Sequence, residues 1–138
     1  MVDEQQQLTE HFRLYEFKVS SDYPEVAKRM RFRPFQVRRL TLLCNLILQP
    51  VRDKFGYTVV TSGKRTMTLN RLVGGEPDSD HEDCICADII PEHDLYEVYC
   101  YIRDNLPYKE LILHKKYIHV SINIPEKEFE KYTEVANV

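Results

Sequence analysis

The spacing of hydrophobic residues changes half-way along the chain. Phe35, Leu40, Leu43, Ile47 and Val51 recur at helical spacing in the first half. The second half has short runs rich in β-branched residues, which predict strands over residues 85–90, 110–113 and 117–124, after an earlier strand at 58–61. Helices followed by strands predict an α+β fold, in which a small, mostly antiparallel sheet packs against N-terminal helices.

Prolines and glycines mark the ends of the predicted elements. Pro34 is expected in the first turn of the long helix, and Gly56 at its end. Pro50 lacks a backbone donor, so we expect it to kink or divide that helix. Shorter helical segments are predicted within residues 9–17, 66–73 and 95–102, and a hairpin around Lys115-Lys116.

The length and composition favour a single domain. The chain has 138 residues, with no internal repeat and no Pro/Gly-rich linker, so we expect one domain over residues 1–138. Residues 1–7 and about 128–138 are expected to be loosely ordered. A domain of this size buries roughly two-thirds of its unfolded surface, so it needs no metal merely to fold. We expect a monomer.

The charge balance argues against a polyanionic partner. The net charge is −3, so nucleic acid is not expected to bind the molecule as a whole. A local basic cluster interleaved with Phe32 and Phe35 supports an alternative, an adaptor for nucleic acid or another polyanion. We interpret the cluster more simply as a solvated loop that leads into a helix. Its members are Lys28, Arg29, Arg31, Arg33, Arg38 and Arg39.

Neither export nor a membrane span is predicted. The N-terminal residues 1–7 contain no basic region and no apolar run, so they do not resemble a signal peptide. The longest nearly uncharged apolar run, residues 40–51, is too short to cross a bilayer. We therefore expect a protein that is cytoplasmic as synthesised, and without a secretory signal we expect no disulfide framework among its four cysteines.

Two histidines and a carboxylate stand beside predicted strands. Side chains alternate along a strand, so Cys84, Cys86 and Asp88 should share one face, and His81 at the loop edge can reach back over it. His119 occupies the polar face of the last strand. If the two strands are neighbours, His81, Asp88 and His119 converge. Two imidazoles and a carboxylate are a known ligand set for catalytic zinc, with a fourth position left for water.

Two alternatives to this site remain open from the residue pattern. A single histidine beside a strand is more often a hydrogen-bonded structural residue than a metal ligand. Cys84 or Cys86 would instead complete a closed structural zinc site with His81 and His119, because thiolates bind zinc well.

Several further motifs stand in a fixed order along the chain. They are Leu8-Thr9-Glu10-His11-Phe12 with Glu16-Phe17, Leu48-Gln49-Pro50-Val51-Arg52-Asp53, Thr61-Ser62-Gly63-Lys64-Arg65-Thr66 and Asn70-Arg71-Leu72-Val73-Gly74-Gly75. Together with the block from Ser79 to Asp88 and with Ile118-His119-Val120-Ser121, they resemble the zinc D-Ala-D-Ala carboxypeptidase family. These are peptidoglycan DD- and LD-peptidases whose fold is shared with the hedgehog signalling domain, and the resemblance extends from about Leu8 to Ser121.

The resemblance implies a zinc metallopeptidase of carboxypeptidase-like type, which hydrolyses peptidoglycan stem peptides through a zinc-bound water. His81, Asp88 and His119 match the three zinc ligands of the family. Arg65 matches an arginine that holds the substrate or stabilises the developing oxyanion, and Ser79 matches a serine that lines the substrate site. The resemblance suggests a phage or prophage origin, with action at the cell wall after release.

Four positions depart from the family pattern. The family usually has glycine at Cys84, alanine at Cys86 and an aromatic residue at Lys64. His114 stands where the family has the glutamate that acts as general base, and Glu110 lies four residues earlier on the same strand face. The base would then be His114 or Glu110. The alternative function is a catalytically impaired zinc-binding module that recognises a cell-wall peptide or a protein partner.

Overall fold

The computed structural model describes residues 2–125 of the chain. The strands are β1 (Gln7–Thr9), β2 (Phe12–Arg13), β3 (Thr58–Ser62), β4 (Cys86–Pro91), β5 (Glu110–Leu113) and β6 (Ile118–Ser121). The α-helices are α1 (Pro24–Arg29), α2 (Pro34–Leu43), α3 (Gln49–Phe55), α4 (Met67–Leu72) and α5 (Leu95–Asn105). A 3₁₀ turn at Leu14–Phe17 follows β2, and a π-helical turn at Cys44–Leu48 joins α2 to α3.

Four strands form an antiparallel sheet in the order β3-β4-β6-β5, and β1 pairs separately with β2. Asp88 of β4 lies directly opposite His119 of β6, and Ile112 of β5 lies opposite His119 on the other side. The predicted hairpin is the β5–β6 pair. The α+β class and the antiparallel sheet are therefore confirmed, and this register brings side chains of three strands to one face.

One long helical segment begins at Pro34, whose missing N–H costs nothing in the first turn. Pro50 cannot donate a hydrogen bond, and its ring crowds the preceding turn. The helix widens there into the π turn, in which the Gln49 N–H donates to the Cys44 carbonyl. The segment ends at Gly56, whose φ of +93° is accessible to glycine at little cost. These positions confirm the predicted start, interruption and end of the helix.

The apolar face of the four-stranded sheet packs against this helical segment. Each fully buried leucine or isoleucine side chain contributes about 1.5–3 kcal/mol relative to exposure. Completely buried members of this core are Ala87, Ile89, Ile118 and Val120 from the sheet, and Leu40, Leu43, Ile47 and Leu48 from the helix. Because this face is sealed by the helices, polar chemistry is restricted to the opposite face of the sheet.

Three local predictions need correction. Only Leu14–Phe17 is helical within the predicted turn at residues 9–17, and strands β1 and β2 precede it. Strands this short leave no periodic pattern in a sequence. Lys28 and Arg29 of the basic cluster lie in helix α1 rather than in a loop. Cys84 does not share the alternation of β4, because its φ is +58° and the strand begins only at Cys86.

The two termini differ in how far the structure describes them. The predicted loose segment at about residues 128–138 lies outside the described range. At the other end, Gln7 already begins β1 and Val2 packs against the main core. Between residues 2 and 125, none of the helices combines the length and the apolar character needed to cross a membrane.

Candidate metal centre

The sheet register brings the two predicted histidines to one carboxylate. Asp88 and His119 face each other on β4 and β6, and the loop that precedes β4 carries His81. The Asp88 Oδ1 atom lies 2.8 Å from His119 Nδ1 and 3.4 Å from His81 Nε2. The centroids of the two imidazole rings are 5.3 Å apart. The three residues predicted as metal ligands therefore lie together on the polar face of the sheet.

The remaining nitrogen of each imidazole ring has its own acceptor. His81 Nδ1 donates to the Gly63 carbonyl over 2.7 Å. His119 Nε2 lies 3.0 Å from Glu110 Oε1. Histidines that bind metals almost always donate their second N–H to a carbonyl or a carboxylate, which fixes the ring and its tautomer. Both rings thus have the arrangement that is usual for histidines at metal centres.

Burial and charge act in opposite directions on this cluster. Burial by itself raises the pKa of Asp88, but hydrogen bonds from His119 and His81 outweigh it and hold that pKa well below its usual value. For His119, burial lowers the pKa, yet the hydrogen bond and charge of Asp88, together with the charge of Glu110, raise it overall. Arg65 adds a positive charge 3.8 Å from Asp88 Oδ2. The Asp88 carboxyl group is therefore ionised at neutral pH.

Cys86 is a fourth potential donor at this centre. Ligand atoms of His81, Cys86 and His119 all lie within 4.8 Å of one another. The Cys86 side chain is completely buried, and its pKa is raised well above the usual value by burial first and by the charge of Asp88 second. Imidazole nitrogen with carboxylate oxygen suits zinc, and so does imidazole nitrogen with thiolate sulfur. The donor chemistry fits zinc in either combination.

The loop after β3 is locked to the 3₁₀ turn at Leu14–Phe17. A Cβ atom on Gly63 would lie 2.7 Å from the backbone Cα and O atoms of Phe17, closer than such atoms ever approach. The next residue, Lys64, donates its N–H to the Phe17 carbonyl over 2.8 Å. This close approach fixes the position of the Gly63 carbonyl, which in turn holds the imidazole of His81.

Lys64 contacts the segment that leads into α2 and the first turn of that helix. Its ammonium group donates to Gln36 Oε1 over 2.9 Å and to the Arg31 carbonyl, and it lies 5.3 Å from the centroid of the Phe32 ring. Only 7% of Lys64 is exposed, and this burial lowers its pKa. The family's usual aromatic residue at this position is therefore replaced by a side chain that packs on an aromatic ring.

A cavity of about 520 Å³ opens over the candidate metal centre. Every residue predicted for the site contributes to its wall: Arg65, Ser79, His81, Asp88, Glu110, His114 and His119. Ser79 Oγ accepts the N–H of His81 over 3.2 Å, and the Arg65 N–H donates to the His81 carbonyl over 3.1 Å. His114 stacks on Tyr117 with ring centroids 4.3 Å apart and planes at 15°. The structure thus gathers all seven residues around one space.

Two contributors to this region have no predicted role in the sequence. Tyr117 lines the cavity, and His114 stacks on its ring. The sequence signal for Tyr117 was its alternation with His119, which places both side chains on the same face of the strand. Asn70 is 3% exposed and donates to the Glu76 carbonyl over 2.7 Å and to Glu82 Oε2 over 3.2 Å. Asn70 therefore holds the loop that carries His81. This role is visible only from the tertiary contacts of its side chain.

Comparison with known proteins identifies the family. The family model described as Peptidase M15 matches residues 11–121, which is most of the chain and includes the whole candidate metal centre. No curated protein and no solved structure gives a significant match. The chain belongs to the peptidase M15 family, the zinc D-Ala-D-Ala carboxypeptidase family.

Proposed function

We propose that this protein is a zinc-dependent metallopeptidase that hydrolyses peptidoglycan stem peptides. The observation that carries the proposal is the pair of imidazoles that meet at Asp88, each with its second nitrogen held by an acceptor. Membership of the peptidase family supports the reaction class. We place its action at the cell wall, after release from the cell that makes it.

The proposed metal ligands are His81, Asp88 and His119. Nε2 of His81, Oδ1 of Asp88 and Nδ1 of His119 would hold the ion, because these are the atoms that converge. Bound zinc would supply a Lewis acid that polarises the scissile carbonyl and lowers the pKa of a water molecule. Three protein donors are typical of catalytic zinc, whereas structural zinc takes four.

We assign the role of general base to His114. A neutral imidazole accepts a proton near pH 7, and the Tyr117 ring against which His114 stacks limits its orientation at the cavity wall. Glu110 is better suited to a positioning role, because its carboxylate lies against Nε2 of His119. In this proposal, His114 takes the role of the glutamate that the family has at this position, and Glu110 orients His119.

Arg65 and Ser79 are the proposed substrate-binding residues. The Arg65 guanidinium has five N–H donors, of which one contacts Asp88 at 3.8 Å and another donates to Asn70 Oδ1 over 3.3 Å. The remaining donors suit a peptide carbonyl or the negative charge that develops on it during hydrolysis. Ser79 offers a hydroxyl on the same cavity wall.

A second candidate function is a non-catalytic zinc-binding module that recognises a cell-wall peptide or a protein partner. The observation in its favour is Cys86, which shares a group of close ligand atoms with His81 and His119. If the Cys86 thiolate and Asp88 both bound zinc with the two histidines, four protein donors would close the site to water.

The first experiment measures hydrolysis of stem peptides and of cross-linked wall material by the purified protein. Elemental analysis is expected to give one zinc per chain. Chelation should abolish cleavage, and added zinc should restore it. Absence of cleavage by the zinc-loaded wild type would refute the peptidase assignment.

Variants of the two candidate bases distinguish the two functions. His114→Ala should lower kcat by about 10²–10⁴-fold with zinc retained. Glu110→Gln should lower zinc affinity by about 10–100-fold and still allow cleavage once zinc is saturating. His93→Ala, on a histidine outside the cavity, is the matched control. If only His114→Glu cleaves, the natural protein is a binding module.

A further inference from the structure

Lys64 carries a buried positive charge that no carboxylate of the described residues neutralises. Only 7% of this residue is exposed, and its ammonium group donates to two uncharged acceptors, Gln36 Oε1 and the Arg31 carbonyl. No carboxylate between residues 2 and 125 forms an ion pair with it. Lysine is almost never fully buried unless its charge is paired, because desolvation penalises an isolated ammonium. An ammonium has three N–H donors, so one of them remains for a further acceptor.

A cavity of about 280 Å³ lies against this side chain, between the start of α2 and the start of α4. Its walls combine the cations Arg33, Lys64 and Arg65 with one carboxylate, that of Glu82, which gives a net charge of +2. The Asn70 amide already donates to this carboxylate over 3.2 Å. Among the described wall residues, this cavity shares Arg65 alone with the space over the candidate metal centre. The cavity is therefore a separate space with positively charged walls.

The charges of Arg33 and Lys64 repel each other across this cavity. Burial is the first cause that lowers the pKa of Lys64, and the charge of Arg33 adds to it. Arg33 is exposed, whereas Arg65 already lies 3.8 Å from the Asp88 carboxylate. An anion held between Arg33 and Lys64 would relieve their repulsion and give the buried ammonium a charge partner.

The surface around the cavity is also basic. Residues 26–52 contain seven lysines and arginines and no aspartate or glutamate, although the whole chain has 22 acidic residues and 19 basic ones. Exposed members of this segment include Arg29, Arg31 and Arg38. Clustered charges of one sign attract ligands of the opposite sign and raise their association rate. This surface would therefore concentrate anions at the mouth of the cavity.

We propose that this cavity binds a phosphate group, free or carried by a small organic ester, through Lys64 and Arg33. Such a group carries a charge of about −1.5 to −2 near neutral pH, which matches the net charge of the walls. Guanidinium and ammonium groups form strong, charge-assisted hydrogen bonds to phosphate oxygens. Phe35 and Met67 add apolar wall for the organic part of an ester. The family usually has an aromatic residue where Lys64 stands, so the site is particular to this chain.

Calorimetric titration of the full chain with inorganic phosphate, phenyl phosphate and acetate tests the proposal. At least one of the two phosphates should bind at a single site, about tenfold more tightly than acetate, because acetate has only one charge. Tighter binding of phenyl phosphate would identify an ester as the ligand, and equal binding would identify free phosphate. The titrations are run with and without zinc. Binding that requires zinc would place the anion at the metal and overturn the proposal.

Three variants locate the site. Lys64→Met removes the buried charge at similar side-chain length, and it should weaken phosphate binding by about tenfold or more, since one charge-assisted hydrogen bond is lost. Arg33→Gln should also weaken binding by about tenfold. Arg38→Gln is the matched control, because it removes the same charge from an exposed residue nearby that does not line the cavity. Its effect should stay below about threefold, since salt screens exposed charges.

A spectroscopic measurement places the anion independently of affinity. Bound phosphate should raise the pKa of Lys64, followed through the ¹³Cε shift of its side chain in NMR spectra, because a nearby anion favours the charged ammonium. An unchanged pKa at saturating phosphate would overturn the proposal. Equal losses of affinity in Arg33→Gln and Arg38→Gln would do the same, since they would indicate association with the basic surface as a whole. If Lys64→Met does not fold, this pair of variants decides the question.

Discussion

Replacement of Gly63 by alanine tests the link between the fold and the metal centre. The added Cβ would lie 2.7 Å from two backbone atoms of Phe17, and backbone atoms cannot rotate away. Ordinary carbon contacts begin near 3.5 Å, so the loop must move by about 0.8 Å. Such overpacking lowers the free energy of unfolding by about 1–3 kcal/mol. Loss of the hydrogen bond from the Lys64 N–H to the Phe17 carbonyl adds about 1 kcal/mol.

The same shift should weaken zinc binding. It displaces the Gly63 carbonyl, which accepts the His81 Nδ1–H over 2.7 Å. Loss of such an orienting partner typically costs about 10–100-fold in metal affinity. Urea unfolding of the metal-free variant should therefore show a loss of about 2–4 kcal/mol. Calorimetric zinc titration of the folded protein measures the second effect separately.

Gly74 supplies the control for this experiment. Its φ is +74°, and a Cβ atom added there would meet no other atom within 4 Å. Gly74→Ala therefore introduces backbone strain of about 1–2 kcal/mol without a steric clash, and zinc affinity should be unchanged. If Gly63→Ala were no more destabilising than Gly74→Ala and bound zinc equally well, the proposed coupling between the Phe17 contact and His81 would be wrong.

Three further predictions concern the metal and local geometry. Zinc at 100 times its Kd should stabilise the protein by about 2.7 kcal/mol, or raise Tm by about 10 °C, and His119→Ala should abolish this shift in a thermal melt. In urea unfolding, Cys84→Val should lower the free energy of unfolding by about 2 kcal/mol more than Cys86→Val does. Both sites are completely buried, but only Cys84 has a φ of +58°, which a β-branched residue adopts with strain. Asp94→Ala should lower the free energy of unfolding by about 1 kcal/mol, because the Asp94 carboxylate caps α5 by accepting the Glu97 N–H over 3.1 Å. An equal midpoint of urea unfolding, Cm, for variant and wild type would exclude a stabilising role of this cap.

Hydrophobic periodicity, together with the prolines and glycines at the ends of the elements, predicted most of the fold. The helix from Pro34 to Gly56 and the strands near Asp88 and His119 follow from local rules, because apolar spacing and special backbone angles act within a few residues. The prediction failed at Cys84, where alternation was assumed to continue. A left-handed residue leaves no trace in hydrophobicity, although the family's usual glycine at that position was a signal.

The sequence by itself determined the candidate donor residues and the faces on which they lie. Imidazole and carboxylate groups at His81, Asp88 and His119 are set by residue identity, and alternation fixes the polar face of a strand. Only the tertiary structure decided that Asp88 pairs with His119 and that Gly63 and Glu110 hold the two rings. Strand order and backbone carbonyl positions depend on contacts between distant segments, so neither is encoded in a local pattern.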